Sequence, residues 1–293
     1  MDSLSDILLP IGIGLIMFGI GTSLKFSDFK MVITKPKAVI TGLVCQLILL
    51  PIIAFLLIYF WPIDPVYKVG MIIIASAPGG TSSNLVTHML KGRVALSVSL
   101  TSFNSFIILL TIPLYISIAL QLFMGESESI VLSPYKVTQE ILLLVLIPVL
   151  LGITLNEFTS KQFTENLKQP LRYIMPALLI GLFLIVIFAD EGHQIVAFKN
   201  NLHLYIPLVI FNLITMLMGF YVAKSMKIDH ESSYTIAVEM GLQNSALAIF
   251  IAAQLLDNQK MELMAVLYAS FSFFSTWFFA WVMKHYLKPA ENN

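Results

Sequence analysis

Val238-Glu239-Met240-Gly241-Leu242-Gln243-Asn244-Ser245 sets a carboxylate inside a long apolar run and follows it with a glycine and three polar side chains. A charge in hydrocarbon costs at least a few kcal/mol, so a carboxylate kept there faces a partner rather than lipid. The natural partner is a cation. Composition places the run in a membrane and not in a globular core. Of 293 residues, 58% are hydrophobic and 12% charged, and the mean hydropathy is +0.87, outside the balance of a soluble domain. A net charge of zero argues against a nucleic-acid partner. The single cysteine, Cys45, lies in an apolar segment, allows no intrachain disulfide and reads as a small buried hydrophobe.

A membrane-crossing helix needs about 20 mostly apolar residues. That length laid along the chain gives nine spans: Ile7 to Leu24, Ala38 to Phe60, Val66 to Leu90, Val94 to Phe123, Val137 to Leu155, Tyr173 to Phe188, Leu204 to Ala223, Ser232 to Leu256 and Met261 to Met283. The first is not a signal peptide by its flanks, because Asp2 and Asp6 precede it without Lys or Arg and no small-residue cleavage pattern follows. Lys and Arg concentrate in cytoplasmic loops. With the N-terminus outside, the inner loops hold Lys25, Lys30, Lys35, Lys37, Lys91, Arg93, Lys161, Lys168, Arg172, Lys224, Lys227, Lys284 and Lys288, thirteen of the seventeen basic residues. The outer loops keep Lys68, Lys136, Lys199 and Lys260, alongside Asp2, Asp6, Asp64, Glu126, Glu128, Asp190, Glu191, Asp257 and Glu262. Eight or ten spans would scramble this partition, so the expected topology is N-out, C-in. Glu140 then falls near the outer end of a span, and Glu239 is the one deep acid.

Two spans are interrupted in a similar manner. The third contains Ala77-Pro78-Gly79-Gly80-Thr81-Ser82-Ser83-Asn84, and setting Gly80 against Gly241 of the eighth puts Ser83 beside Asn244 and Asn84 beside Ser245. Proline and paired glycines break a helix. The two spans run in opposite directions, which is the pattern of an inverted-repeat transporter with its sites at the breaks; unpaired backbone at that depth has to line a cavity or bind something. Nine spans then divide as four plus five. Phe18-Gly19-Ile20-Gly21-Thr22-Ser23-Leu24 also resembles Leu150-Leu151-Gly152-Ile153-Thr154-Leu155. Those spans are parallel in this topology, so the likeness is set down to shared composition.

The available donors define the cation. Glu239, Ser83, Asn84, Gln243 and the backbone carbonyls around Gly241 are oxygens; Ser97 and Thr101 add an i,i+4 pair on one helical face, and Gln46 an amide from the second span. Hard ions such as sodium prefer this set, and with no Cys or His cluster an ordinary transition-metal site is excluded. Each residue also has a plainer role: Ser97 and Thr101 as small residues bonding to their own backbone, Gln46 as a link between helices, Asn84 and Gln243 as caps.

Pro78-Gly79-Gly80-Thr81-Ser82-Ser83-Asn84, the Lys91-Gly92-Arg93-Val94-Ala95-Leu96-Ser97 after it, and Glu239-Met240-Gly241-Leu242-Gln243-Asn244-Ser245 resemble the two crossover motifs of the bile acid:sodium symporter family. The likeness runs from Met17-Phe18-Gly19-Ile20-Gly21 through the last span, essentially the whole chain. It implies a core domain in which the broken helices cross, about 38–123 and 204–287 here, and a panel domain, about 7–24 and 137–188. It also implies two sodium ions. Ser83, Asn84, Ser97, Thr101 and Glu239 would hold the first, and Gln46, Glu239 and Gln243 with the carbonyls of Met240 and Leu242 the second. The anion would lie between the domains against Thr81 and Asn244, near helix N-termini that favour a carboxylate. Several bacterial members have ten helices, the first of which finds no counterpart among the nine spans. Where some bile-acid-binding members present a His-Asn pair, the last span reads Ala269-Ser270-Phe271-Ser272-Phe273-Phe274-Ser275. A smaller carboxylate, such as pantoate or a 2-oxo acid, is therefore as good a candidate as a bile acid.

The expected protein is all-α and polytopic, a multi-pass component of the inner (plasma) membrane that carries an organic anion inward with sodium. A proton-coupled carrier would use Glu239 as its protonation site instead. It differs in needing one acceptor where a metal ion needs several convergent oxygens. An intramembrane enzyme fares poorly, with no second deep acid and with Ser83 and His88 along one helix; a channel is a weaker alternative, since inverted broken helices occur there too.

Overall fold

The computed structural model describes residues 4–25, 34–125, 139–160 and 201–286, with 162–167, 169–171, 174, 177–178 and 181; the side chains of 4–9, Thr81 and Leu109 are outside the description. Among the described residues every regular element is helical. In chain order they are α1 (Leu4–Ser23), α2 (Pro36–Tyr59), α3 (Pro65–Ser76), α4 (Thr81–Met89), α5 (Val94–Phe123), α6 (Gln139–Phe158), α7 (Tyr205–Ser225), α8 (His230–Gly241), α9 (Ser245–Phe250) and α10 (Gln259–Tyr286). Single π turns interrupt α2 at Cys45–Leu49 and α6 at Leu142–Leu146, and another extends α9 at Ile251–Leu255.

Among the described residues, five helical stretches are long and apolar enough to cross a membrane: α2, α6, Leu202–Ser225, His230–Leu255 and α10. A sixth is α5 if its two parts, bent by 62° between Ile108 and Leu110, count as one. Pro113 explains the bend, because its ring meets the carbonyl four residues earlier and it donates no hydrogen bond. Helices occupy eight of the expected spans, and the sixth, Tyr173 to Phe188, falls almost entirely outside the described residues.

Local chemistry sets the breaks. Asp64 caps α3, accepting from the Val66 N–H at 3.1 Å with Pro65 in the first turn. The helix stops at Ser76, before Pro78. Asp229 caps α8 through the Ser232 N–H at 2.9 Å, and α8 stops at Gly241, after which Leu242 is extended. Asn244 then caps α9, accepting from the Leu247 N–H at 3.2 Å. Every residue of α8 from Ser232 to Gly241 is buried, so its polar groups are enclosed by protein and not by lipid.

The glycine likeness between the first and fifth spans has a structural cause, which corrects its attribution to composition. A Cβ on Gly21 would lie 2.2 Å from Val149 O, and one on Gly152 would lie 2.4 Å from Phe18 O. The two glycines let the backbones of α1 and α6 touch, as small residues do between membrane helices. One turn on, Asn156 Nδ2 donates to Leu24 O at 2.6 Å, so contacts advance together along both helices and they run parallel. Glu262, assigned from sequence to an outer loop, instead lies buried in the first turn of α10. There the helix N-terminus favours its charge.

Candidate functional site

The two breaks meet. The Asn244 N–H donates to Ala77 O at 2.9 Å, and a Cβ on Gly79 would lie 2.6 Å from Leu242 O, so backbone touches backbone where α3–α4 passes α8–α9. Glu239, fully buried, stands one helical turn before this point.

Three other helices converge on its carboxylate. Ser97 Oγ of α5 bonds to Oε1 and also lies 2.6 Å from Asn84 Oδ1 of α4. Ser83 Oγ, which donates to Gly80 O at 2.8 Å, lies against the same carboxylate. Gln46, in the π turn of α2, donates from Nε2 to Oε2 at 3.0 Å and to the Glu239 carbonyl at 3.2 Å. The π turn adds a residue to the ladder and re-aims the side chains beyond it, a distortion frequent at functional sites. Ser97 Oγ carries one proton but faces two acceptors, so oxygens outnumber protons there.

Thr101 Oγ1 and Gln243 Oε1 are buried and have no hydrogen-bond partner among the described residues. Leaving such a group unsatisfied costs about 1–3 kcal/mol. Cations coordinated by oxygens would satisfy each of them, so the residues fit sodium. Thr101 sits one turn beyond Ser97 on α5, and Gln243 occupies the second break, held by Nε2 donating to Met240 O at 2.9 Å. The carbonyls around Gly241 are not equally free. Gly241 O accepts from Asn212 Nδ2 at 2.7 Å and from Tyr268 Oη at 2.6 Å, which directs it toward α7 and α10.

Beside the crossing is a narrow cleft lined by Met17, Ile20 and Val145 from α1 and α6 and, opposite, by Gly79, Gly80, Thr101, Asn104 and Asn244. Asn244 thus caps a helix and lines the cleft. Thr81 opens α4, and its side chain lies outside the description. Sequence reasoning missed Asn104, whose Nδ2 donates to Gln46 Oε1 at 2.7 Å, and the Asn212–Tyr268–Thr276 group behind Gly241. Asn104 was findable: Ser97, Thr101 and Asn104 fall at helical spacing on one face.

Residues 10–198 match the Sodium Bile acid symporter family. A Bacillus subtilis protein named an uncharacterized sodium-dependent transporter is 32% identical over 245 residues, 83% of this chain and 73% of its own. A chloroplastic Arabidopsis thaliana protein named "probable sodium/metabolite cotransporter" is 28% identical over 85% of this chain and 59% of its own. A hepatic sodium/bile acid cotransporter of Rattus norvegicus is 30% identical over 83% and 66%. With these matches and its apolar helices, the chain is an integral membrane protein and not an enzyme, and it belongs to the Sodium Bile acid symporter family of sodium-dependent transporters.

Proposed function

We propose that the protein carries an organic anion, bile acid-like or a small carboxylate such as pantoate, into the cell together with two sodium ions, by alternating access across the plasma (inner) membrane. The observation that carries this reading is the surplus of buried oxygens at Glu239. The single Ser97 Oγ proton faces both Asn84 Oδ1 and Glu239 Oε1, and the Thr101 and Gln243 oxygens lack partners among the described residues. A proton needs one acceptor, whereas a hard cation uses several convergent oxygens. Ser83, Asn84, Ser97, Thr101 and Glu239 form one sodium site, and Gln46, Gln243, Glu239 and the carbonyls of Met240 and Leu242 the other. The anion lies in the cleft against Thr81 and Asn244. The names of the bacterial, plant and rat relatives support sodium as the coupling ion and leave both a bile acid and a smaller metabolite open as the anion.

The nine-span, N-out topology, the four-plus-five inverted repeat and the division into core (about 38–123 and 204–287) and panel (about 7–24 and 137–188) belong to the same proposal. The cleft between α1–α6 and the crossing supports that division. Movement of the core against the panel would open the cleft to each side in turn, and ligands shift such an equilibrium only by binding one state better.

Glu239→Ala tests the reading. Sodium in place of potassium should raise the melting temperature of the wild type, since a ligand stabilises the state it binds. In the variant that rise should vanish while the melt stays cooperative. A variant that keeps its sodium response overturns the assignment; a wild type that responds to pH but not to sodium favours the proton carrier.

A further inference from the structure

Glu239, Gln46 and Asn104 form a directed chain through the interior. An ionised carboxylate only accepts, so Gln46 turns its Nε2 toward Glu239, at 3.0 Å. Gln46 Oε1 then faces the other way and accepts from Asn104 Nδ2 at 2.7 Å. That leaves Asn104 Oδ1, buried and without a partner among the described residues, on a side chain in the cleft wall beside Gly79, Thr101 and Asn244. Each link dictates the next, because an amide has one donor end and one acceptor end. A cation on Gln46 demands the opposite order. It takes Oε1, so Nε2 turns to Asn104, which must meet it with Oδ1. Asn104 Nδ2 then becomes the end released toward the cleft.

We infer that Asn104 transmits occupation of the Gln46 cation site to the anion cleft, through a paired reversal of two amides that replaces an acceptor with a donor in the cleft wall. The inference rests on the sodium-symport reading above and gives it a physical coupling step. An amide oxygen repels a carboxylate or sulfonate, and an amide N–H binds it, so the cation raises anion affinity and, reciprocally, the anion raises cation affinity. Asn104 is a positioning residue toward Gln46 and a specificity-determining residue toward the anion.

The test uses the full-length protein in detergent micelles, with Asn labelled by ¹⁵N and the Asn104 side-chain amide signal identified by its loss in Asn104→Ser. Titration with sodium should move that signal at the concentration that half-saturates the thermal shift, and Glu239→Ala should abolish the movement. A signal that stays put while sodium stabilises the protein overturns the relay and leaves the symport reading standing. A wild type that binds no sodium overturns both. In a second arm taurocholate and pantoate are the probe anions. Sodium should raise the affinity for a bound probe about tenfold in the wild type, within the usual range of coupling, and under about threefold in Asn104→Leu. A merely structural role for Asn104 would leave its amide signal unmoved by sodium, and wild-type coupling in Asn104→Leu would equally overturn the relay.

Discussion

Thr101 and Ser97 sit one turn apart on the same face of α5, yet their surroundings differ. Ser97 Oγ bonds to Glu239 and lies 2.6 Å from Asn84 Oδ1, while Thr101 Oγ1 is buried without a partner among the described residues. A hydroxyl whose only task was packing would be better replaced by a methyl group, which removes the desolvation cost. Thr101→Val therefore separates the two roles. With potassium alone the variant should be as stable as the wild type or more so, by about 1 kcal/mol. Its sodium midpoint should rise about tenfold, the equivalent of the roughly 1.5 kcal/mol that one contact with a charge contributes. Melting curves across a sodium titration measure both, and an unchanged midpoint would remove Thr101 from the site. At this scale much of the candidate site was legible, because a lone acid in an apolar run has few other uses. The role of Asn212 was not. It acts on the backbone oxygen of Gly241 from a separate helix, and no local pattern encodes that contact.

The broken helices were readable because proline and glycine act locally, and both interruptions fall where Pro78-Gly79-Gly80 and Gly241 stand. Which glycine is indispensable depends on what passes beside it. A Cβ at position 79 would lie 2.6 Å from Leu242 O, a backbone atom that has no room to retreat, whereas at position 80 its nearest neighbours are 3.8 Å away. Gly79→Ala should cost about 1–3 kcal/mol, as overpacking in a well-packed core does, and should blunt the sodium response by prising the crossing apart. Gly80→Ala should change little. Paired melts of the two variants with sodium and with potassium check this, and equal losses would mean that the glycines serve backbone conformation and not the close approach. The π turns could not be foreseen. Cys45–Leu49 carries ordinary apolar residues around Gln46, and only the helices packed on it decide that the ladder slips there. The glycines of α1 and α6 were visible as a likeness between segments, but their contact appears only once the helices lie side by side.

Asp64, the cap of α3, pairs with Lys260 at the start of α10 at 2.9 Å, and Asp229, the cap of α8, pairs with Arg93 just before α5 at 3.2 Å. Helix α5 comes after the first break and α10 after the second, so each broken helix is tied to the helix that succeeds the other. Such an exchange is what the proposed inverted repeat would generate. Both carboxyls sit below the ordinary carboxylate range. Hydrogen bonds from Lys260 and the Val66 N–H lower Asp64; at Asp229 burial pushes upward, and Ser232 and Arg93 outweigh it. Exposed pairs of this kind contribute about 0–1 kcal/mol, so they say more about which helix ends meet than about stability. The two pairs fall at ends that the loop charges assign to opposite sides of the membrane, and that sidedness is open to direct measurement. The sole cysteine, Cys45, is fully buried, so the native chain is a quiet background for thiol labelling. Lys37→Cys, exposed in the first turn of α2, should react with an impermeant maleimide only after cells are permeabilised. Gln259→Cys, exposed at the start of α10, should react in intact cells. The N-out reading fails if the two variants exchange behaviour, and the opposed orientation of the two halves fails if both label from the same side, because α2 and α10 then begin together.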